Sequence, residues 1–207
     1  MEAILDLYAE AYDPVRPVIG FDEFPYQLVA EKSLPRPLQP GKPIRYDYEY
    51  RRMGTCNLFM FFQLRAGWRH VKVTERRTKQ DFALCMRDLV DVYFPEAEVI
   101  RVVLDNLNTH TPASLYEAFA PAEARRILRK LEFHYTPRHA SWLNIAEIEI
   151  SVLDRQCLDR RLPEIVRVVA EVSAWEDRRN QQQATVDWQF TSAKARSKLQ
   201  YLYPSIS

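Results

Sequence analysis

The hydrophobic period of this chain changes once, near residue 75, and that change limits the fold more than any other feature. Before it, apolar residues come in short runs or alternate. Val18-Ile19-Gly20-Phe21 runs up to Asp22, and Tyr46, Tyr48 and Tyr50 alternate with Asp47, Glu49 and Arg51. Leu58-Phe59-Met60-Phe61-Phe62 is apolar throughout, and Trp68, Val71 and Val73 follow a turn at Arg65-Ala66-Gly67. Period-two and short apolar runs joined by short links predict strands in an antiparallel meander. Beyond the change, Phe82, Met86, Leu89, Val90 and Tyr93 recur at helical spacing, with Thr78 placed to cap the helix and Pro95 to stop it.

Strand and helix then alternate. Val99-Ile100-Arg101-Val102-Val103-Leu104 is a β-branched strand ending at Asp105, Ser114 to Leu131 is helical with a break near Pro121, and Glu132-Phe133-His134-Tyr135 is a strand stopped by Pro137. Helices are predicted over 2–11, 142–158 and 164–180. Val186, Trp188 and Phe190 alternate before a last helix after Thr191. A meander followed by strand–helix–strand crossovers makes an α/β fold, a mixed five-stranded sheet with helices on both faces. That element order is the one of ribonuclease-H-like domains. The proline-bearing segment from Ser33 to Pro43 is expected to be an exposed loop within the domain, because each proline removes a donor and restricts its predecessor. The expected division is an N-terminal helix and linker over 1–15, the sheet domain over 16–162, and a helical extension over 163–207 packed on it.

Composition closes several routes. Only four glycines occur among 207 residues, all in the first third, which excludes a dinucleotide fingerprint, and Gly41-Lys42-Pro43 is no phosphate-cradling loop. Three widely spaced cysteines favour neither a disulfide framework nor a zinc knuckle, and Cys157 reads as packing. His134 and His139 lack ligand spacing and read as structural or loop residues. No apolar run approaches the ~18 residues of a membrane span, and the N-terminus does not open a signal peptide, so an intracellular, reduced protein is expected. Net charge is +1, yet residues 1–30 carry six acids against Arg16 alone, leaving the remainder at +6 with arginine pairs at 76–77, 125–126, 160–161 and 178–179. That distribution permits a nucleic-acid partner and equally suits solvated helix faces.

Three acids then stand out. Asp22 and Asp105 each close an apolar strand pattern, where open α/β sheets gather ligands. A lone aspartate there is more often a turn former or cap. On a helix over 142–158, Ile145, Ile148 and Val152 form an apolar stripe, and Glu147 borders it with Asn144, Ser151 and Asp154. Glu149 lies roughly 200° from Glu147 and is expected to face water, so Glu147 is the third candidate. Three converging carboxylates repel one another unless a cation joins them. Hard divalent ions suit oxygen ligands, and two of them can drive an in-line phosphoryl displacement. Glycoside hydrolysis also uses paired acids, but the scaffold and the third acid count against it.

Phe21-Asp22-Glu23, Asp105-Asn106-Leu107-Asn108-Thr109-His110 and Ser141-Trp142-Leu143-Asn144-Ile145-Ala146-Glu147 resemble the three blocks of DDE transposases. More closely, they resemble bacterial insertion-sequence transposases of the six-thirty type in the Tc/mariner superfamily. The likeness runs from about residue 16 to the end. It implies a fold and metal use similar to retroviral integrases, with Asp22, Asp105 and Glu147 as the catalytic triad holding two Mg²⁺ or Mn²⁺ ions. Asn106 and His110 match the block around the second aspartate and would shape the site, together with Glu23 and Asn144. The implied activity is hydrolysis at the element's terminal inverted repeats, followed by attack of the 3′-hydroxyl on target DNA, typically at TA. Arg138, Arg155, Arg160 and Arg161 would hold phosphates. Trp142 is expected in the core, with stacking on a displaced base as the alternative.

Two departures qualify the resemblance. The second and third acids lie 42 positions apart, with extra length placed around 120–131. The helix-turn-helix region of such enzymes is missing, which points to a separately encoded catalytic half, a fragment or a decayed remnant. The expected partners are DNA and either a second copy of the chain or a partner carrying that region, in the bacterial cytoplasm at the nucleoid, with no membrane. Two further readings stand beside this one: a non-catalytic remnant that binds DNA or full-length transposase, and a ribonuclease-H-like nuclease without strand transfer.

Overall fold

The computed structural model describes residues 1–32, 49–138 and 140–203. The proline-bearing segment expected to be a loop, Tyr46, Tyr48 and His139 lie outside the described residues. Helix α1 (Glu2–Ala9) precedes strands β1 (Val18–Glu31), β2 (Tyr50–Gln63) and β3 (Trp68–Thr74). Helix α2 (Lys79–Asp88), β4 (Ile100–Leu104), α3 (Pro112–Ala118), α4 (Pro121–Leu128) and β5 (Leu131–Tyr135) follow. Helices α5 (Ile145–Leu153), α6 (Ile165–Gln181) and α7 (Ser192–Lys198) complete the chain, and α2 and α5 each run on as one wider turn, Leu89–Tyr93 and Asp154–Leu158.

The sheet has the order β3-β2-β1-β4-β5. β1, β2 and β3 are antiparallel neighbours, whereas β1–β4 and β4–β5 are parallel. The mixed five-stranded sheet is therefore as expected, but two strand boundaries are not. β1 does not stop at Asp22 but continues to Glu31, and Tyr50 shares one fourteen-residue strand with the apolar run Leu58 to Phe62. The ladder from Gly20↔Phe62 to Glu31↔Tyr50 carries both strands past the reach of β4. Past Gly20, β2 is the one strand paired with β1 among the described residues, an edge position where Pro25 is tolerated. The segment 184–190 is irregular rather than a strand.

Alternation along β2 builds two layers of core. Phe59 and Phe61 face α2, α3 and α4 with Phe21, Phe82, Met86 and Leu115. Leu58 and Met60 face α5 and α6 with Leu153, Val168, Val172 and Trp175. On that second side, α1 and α7 seal the region around Phe62, Val103, Leu143 and Ile145. Local chemistry agrees with the tertiary result at α2, where Thr78 and Asp81 form the reciprocal capping box.

The free edge of β3 is closed by polar residues of α6. Asn180 Oδ1 accepts from Arg69 N at 2.9 Å, and Glu176 Oε2 accepts from Val71 N at 2.9 Å. These side chains occupy the donors that would otherwise recruit another strand. Beneath them lies a buried ionic knot. Glu149 of α5 is fully buried, with Oε1 2.8 Å from Arg69 Nε and 2.7 Å from Arg179 Nε. This corrects the expectation that Glu149 faces water. The buried face of α5 is Ile145, Ala146, Glu149 and Leu153, with Ile148 and Val152 only partly covered. Both partners of Glu149 come from distant elements, so helical spacing alone gave no sign of them.

Removing one member of a buried ion set costs more than the set contributes, because the others stay charged without a partner. Glu149→Gln is expected to cost about 3–5 kcal/mol, seen as a fall in melting temperature on the order of 10 °C. An unchanged melt would contradict the role given to this knot.

Candidate active site

Parallel pairing of β1 with β4 ends at Gly20↔Val103. Two residues further along each segment stand Asp22 and Asp105, so the aspartates occupy matching positions just past the end of the parallel pairing. Asp22 shares its face of β1 with Gly20, the face that α5 crosses. The crossing is tight. A Cβ built on Gly20 would meet Ile145 Cγ1 at 2.6 Å and Ala146 N at 3.0 Å, so only glycine admits the start of α5 at this distance. An isolated glycine inside an apolar strand was the sequence signal for such an approach.

Asn144 fixes that start. Its side-chain amide donates to Phe21 O at 2.7 Å, and its Oδ1 accepts from Ala146 N at 3.2 Å as the helix cap. Glu147 follows in the first turn, half-buried, and the Glu147 amide donates to Asn144 O at 3.1 Å. Asn144 thus joins the strand carrying Asp22 to the helix carrying Glu147.

Charges in this region are unevenly matched. His110 is buried and sits between two acids, with Nδ1 2.6 Å from Asp105 Oδ1 and Nε2 2.7 Å from Glu23 Oε2. Burial alone would push the imidazole down, but the Asp105 and Glu23 carboxylates outweigh it and raise its pKa from 6.5 to about 9. Rings of Phe21 and Phe82 pack at 5.3 and 5.0 Å from the imidazole. Glu23 also meets Arg77 Nη1 at 3.2 Å. Glu23 and Asp105 therefore have cationic partners. Asp22 has none among the described residues; its Oδ1 accepts from Glu23 N at 2.9 Å. The Glu147 carboxylate likewise has no hydrogen-bond or ion-pair partner among them.

Burial, together with the charges of Glu23, Asp105 and Glu147, raises the Asp22 pKa from 3.8 to about 7 against the pull of the Glu23 amide. Asp105 and Glu147 thus lie within electrostatic reach of Asp22. Among the described residues, no three His, Cys, Asp or Glu side chains converge on a single point as a finished metal cage. The donor set is nevertheless hard oxygen with lone pairs that no protein group occupies, the chemistry that suits Mg²⁺ or Mn²⁺.

The other expected site residues divide. Asn106 is exposed and makes no hydrogen bond among the described residues. Arg160 is paired with Glu171 and Arg161 with Glu31, while exposed Arg155 bonds Ser151 O at 3.1 Å. Arg138 is exposed. Trp142 is not a core residue: it is 40% exposed, edge-on to Phe190 at 5.3 Å. Sequence reasoning missed Arg77 and the hydroxyl of Tyr8, which donates to Leu143 O at 2.8 Å beside the start of α5.

Residues 17–168 match the family model described as DDE superfamily endonuclease. Among solved structures, the chain is similar to the Mos1 mariner paired end complex with Mn, at 15% identity and a TM-score of 0.59. It is similar to the Mos1 strand transfer complex at 12% identity and a TM-score of 0.58. Each alignment covers 88% of this chain and 55% of the other, so the chain spans about half the length of those proteins. No curated protein matches. The structural likeness is one of fold.

An acid whose folded pKa stands above its ordinary value keeps a proton that the unfolded chain releases. Stability contributed by Asp22 is therefore lost as pH rises from about 4 through about 7. Asp22→Asn is expected to raise the melting temperature at about pH 8 by roughly 5 °C, with a gain that shrinks toward pH 4. Millimolar Mg²⁺ at pH 8 is expected to stabilise the wild type more than the variant. Melting curves over that range check both, and a pH-independent difference would contradict the burial of charge described for Asp22.

Proposed function

The chain belongs to the DDE superfamily of endonucleases, and on that premise we propose that it is a transposase catalytic domain that cuts DNA and joins the cut end to target DNA. The observation that carries the proposal is the surplus of carboxylate at one place. Asp105 and Glu147 act electrostatically on Asp22, and neither Asp22 nor Glu147 has a cation to match it among the described residues. In this reading Asp22, Asp105 and Glu147 hold two Mg²⁺ or Mn²⁺ ions. Such ions supply activation of the attacking oxygen and stabilisation of the departing one in an in-line displacement. Glu147, whose carboxylate has no protein partner among the described residues, would supply the third ligand, and a bound cation would favour the charged form of Asp22 at neutral pH. His110, held by Glu23, aims Asp105, and Asn144 sets the helix on which Glu147 rides.

Phosphates are bound by residues that lie along α5. Arg155 stands two turns beyond Glu147, about 12 Å along the helix. It opens onto a groove of about 430 Å³ that Arg160 and Arg178 also line and Trp175 floors. Arg160 and Arg161 share their charge with Glu171 and Glu31, so Arg155 is the stronger phosphate contact, with Arg138 on the loop before α5. The substrates are duplexes carrying terminal inverted repeats and a target site such as TA. Site-specific recognition falls to a homodimer or to a partner with a helix-turn-helix domain, at the nucleoid in the bacterial cytoplasm. Among the described residues, no helix is long and apolar enough to cross a membrane. Residues 16–162 form the catalytic unit in this proposal, with 1–15 and 163–207 as its flanks.

Labelled duplex DNA with candidate ends, incubated with Mn²⁺ or Mg²⁺, tests this directly. Losing one metal ligand removes several kcal/mol of transition-state stabilisation, so Asp105→Asn is expected to slow nicking by on the order of 10³-fold while leaving DNA affinity within a few-fold. A product joined at a 3′ end marks a transposase, and nicking without joining marks a simple nuclease. Equal DNA binding and no cleavage by either protein would overturn the catalytic reading in favour of a non-catalytic remnant. In the same assay, Arg155→Ala is expected to weaken binding similarly for all sequences and to reduce the salt slope by about one. An unchanged slope removes Arg155 from the phosphate contacts.

A further inference from the structure

Helix α1 lies ahead of the segment that matches the family model, yet it reaches the acidic site. Tyr8 of α1 is 2% exposed, and its ring meets Trp188 edge-on at 5.2 Å. The Tyr8 hydroxyl donates to Leu143 O at 2.8 Å and accepts from Ile145 N at 3.4 Å. Those two residues flank Asn144. On its other side Asn144 grips Phe21 O, the residue before Asp22. The start of α5 is therefore held between one hydroxyl from α1 and one strand of the sheet, three residues before Glu147.

The clamp is itself anchored. Arg65 Nη2, from the β2–β3 turn, donates to Tyr8 O at 2.6 Å. Ser192 bonds Asp6 at 2.5 Å, and Arg196 pairs with Glu2 at 2.6 Å, so α7 holds α1 in place. Burial keeps the Tyr8 phenol well above its ordinary range, and it stays a neutral donor and acceptor at any pH of interest.

From this geometry we infer that Tyr8 is a positioning residue for the acidic site, and that α1, a flank of the catalytic unit outside the matched segment, helps to order it. The hydroxyl fixes the first turn of α5 and with it the direction from which Glu147 approaches Asp22 and Asp105. The inference rests on the reading of Glu147 as the third carboxylate. Removing a group that orients a ligand typically weakens metal affinity or activity by about 10–100-fold.

Tyr8→Phe deletes the hydroxyl and keeps the ring. Hydrogen–deuterium exchange of the metal-free full chain is expected to speed up in the peptide covering residues 141–150 and to stay unchanged in β4. The Mn²⁺ concentration needed for half-maximal nicking is expected to rise about tenfold, with DNA affinity unchanged. Trp188→Phe, which disturbs the packing of α1 but leaves the hydroxyl, is expected to lower the melting temperature without shifting that concentration. Unchanged exchange at 141–150, uniform acceleration across the chain, or an equal Mn²⁺ shift in both variants would overturn the inference. Asp105→Asn separates the two readings: if it abolishes nicking while Tyr8→Phe keeps the wild-type Mn²⁺ requirement, only the role of Tyr8 falls. If Asp105→Asn nicks as wild type does, the triad itself falls.

Discussion

Like charges held close in a partly dry place set the terms for the rest of this molecule. Asp22 is raised to about 7 by burial and by Glu23, Asp105 and Glu147, and no cationic side chain among the described residues relieves it. A fold that only needed stability would protonate such a group or replace it. This one keeps the acid, at the cost of a raised pKa, while matching its two neighbouring acids with care. Glu23 receives Arg77 and His110, and His110 also serves Asp105. Among the described residues Glu23 and Asp105 are matched by cations, and Asp22 and Glu147 are not. That pattern supports the proposed reading of a cation-holding place over that of an ordinary salt-bridge network.

The scaffold holds this arrangement with features spread over the whole chain. Parallel pairing of β1 and β4 brings two aspartates level, and Gly20 lets α5 lie close over the strand. Asn144 and Tyr8 fix where α5 begins. Further along α5, Glu149 ties the helix to Arg69 of β3 and Arg179 of α6. Two glutamates two residues apart on one helix thus do opposite work. Glu149 is neutralised in the interior and fixes the helix, whereas Glu147 has no partner among the described residues.

Much of this was legible in the residues. The β-branched run from Val99 to Leu104 stops at Asp105 as a buried parallel strand should, and Thr78 caps α2 as its spacing implies. The matched succession of elements gave the mixed sheet. What escaped notice depended on partners far away in sequence. β1 continues through Pro25 because, among the described residues, β2 is the one strand that pairs with it there. Burial of Glu149 needs arginines 80 residues before and 30 residues after it. Tyr8 was invisible as a site residue because a buried phenol in a short amphipathic helix looks like any core aromatic until its hydroxyl partners are known. Local pattern sets the elements, and tertiary electrostatics decides which acids are structural and which are free to act.

The central claim is that Asp22, Asp105 and Glu147 share bound cations. Anomalous diffraction from crystals soaked in Mn²⁺ measures this without relying on turnover. The account predicts manganese peaks between the two aspartates and Glu147, with the Glu147 side chain swung inward, and their loss in crystals of Asp22→Asn. Manganese absent from that place at saturating concentration, or bound there without any contact from Glu147, would contradict it.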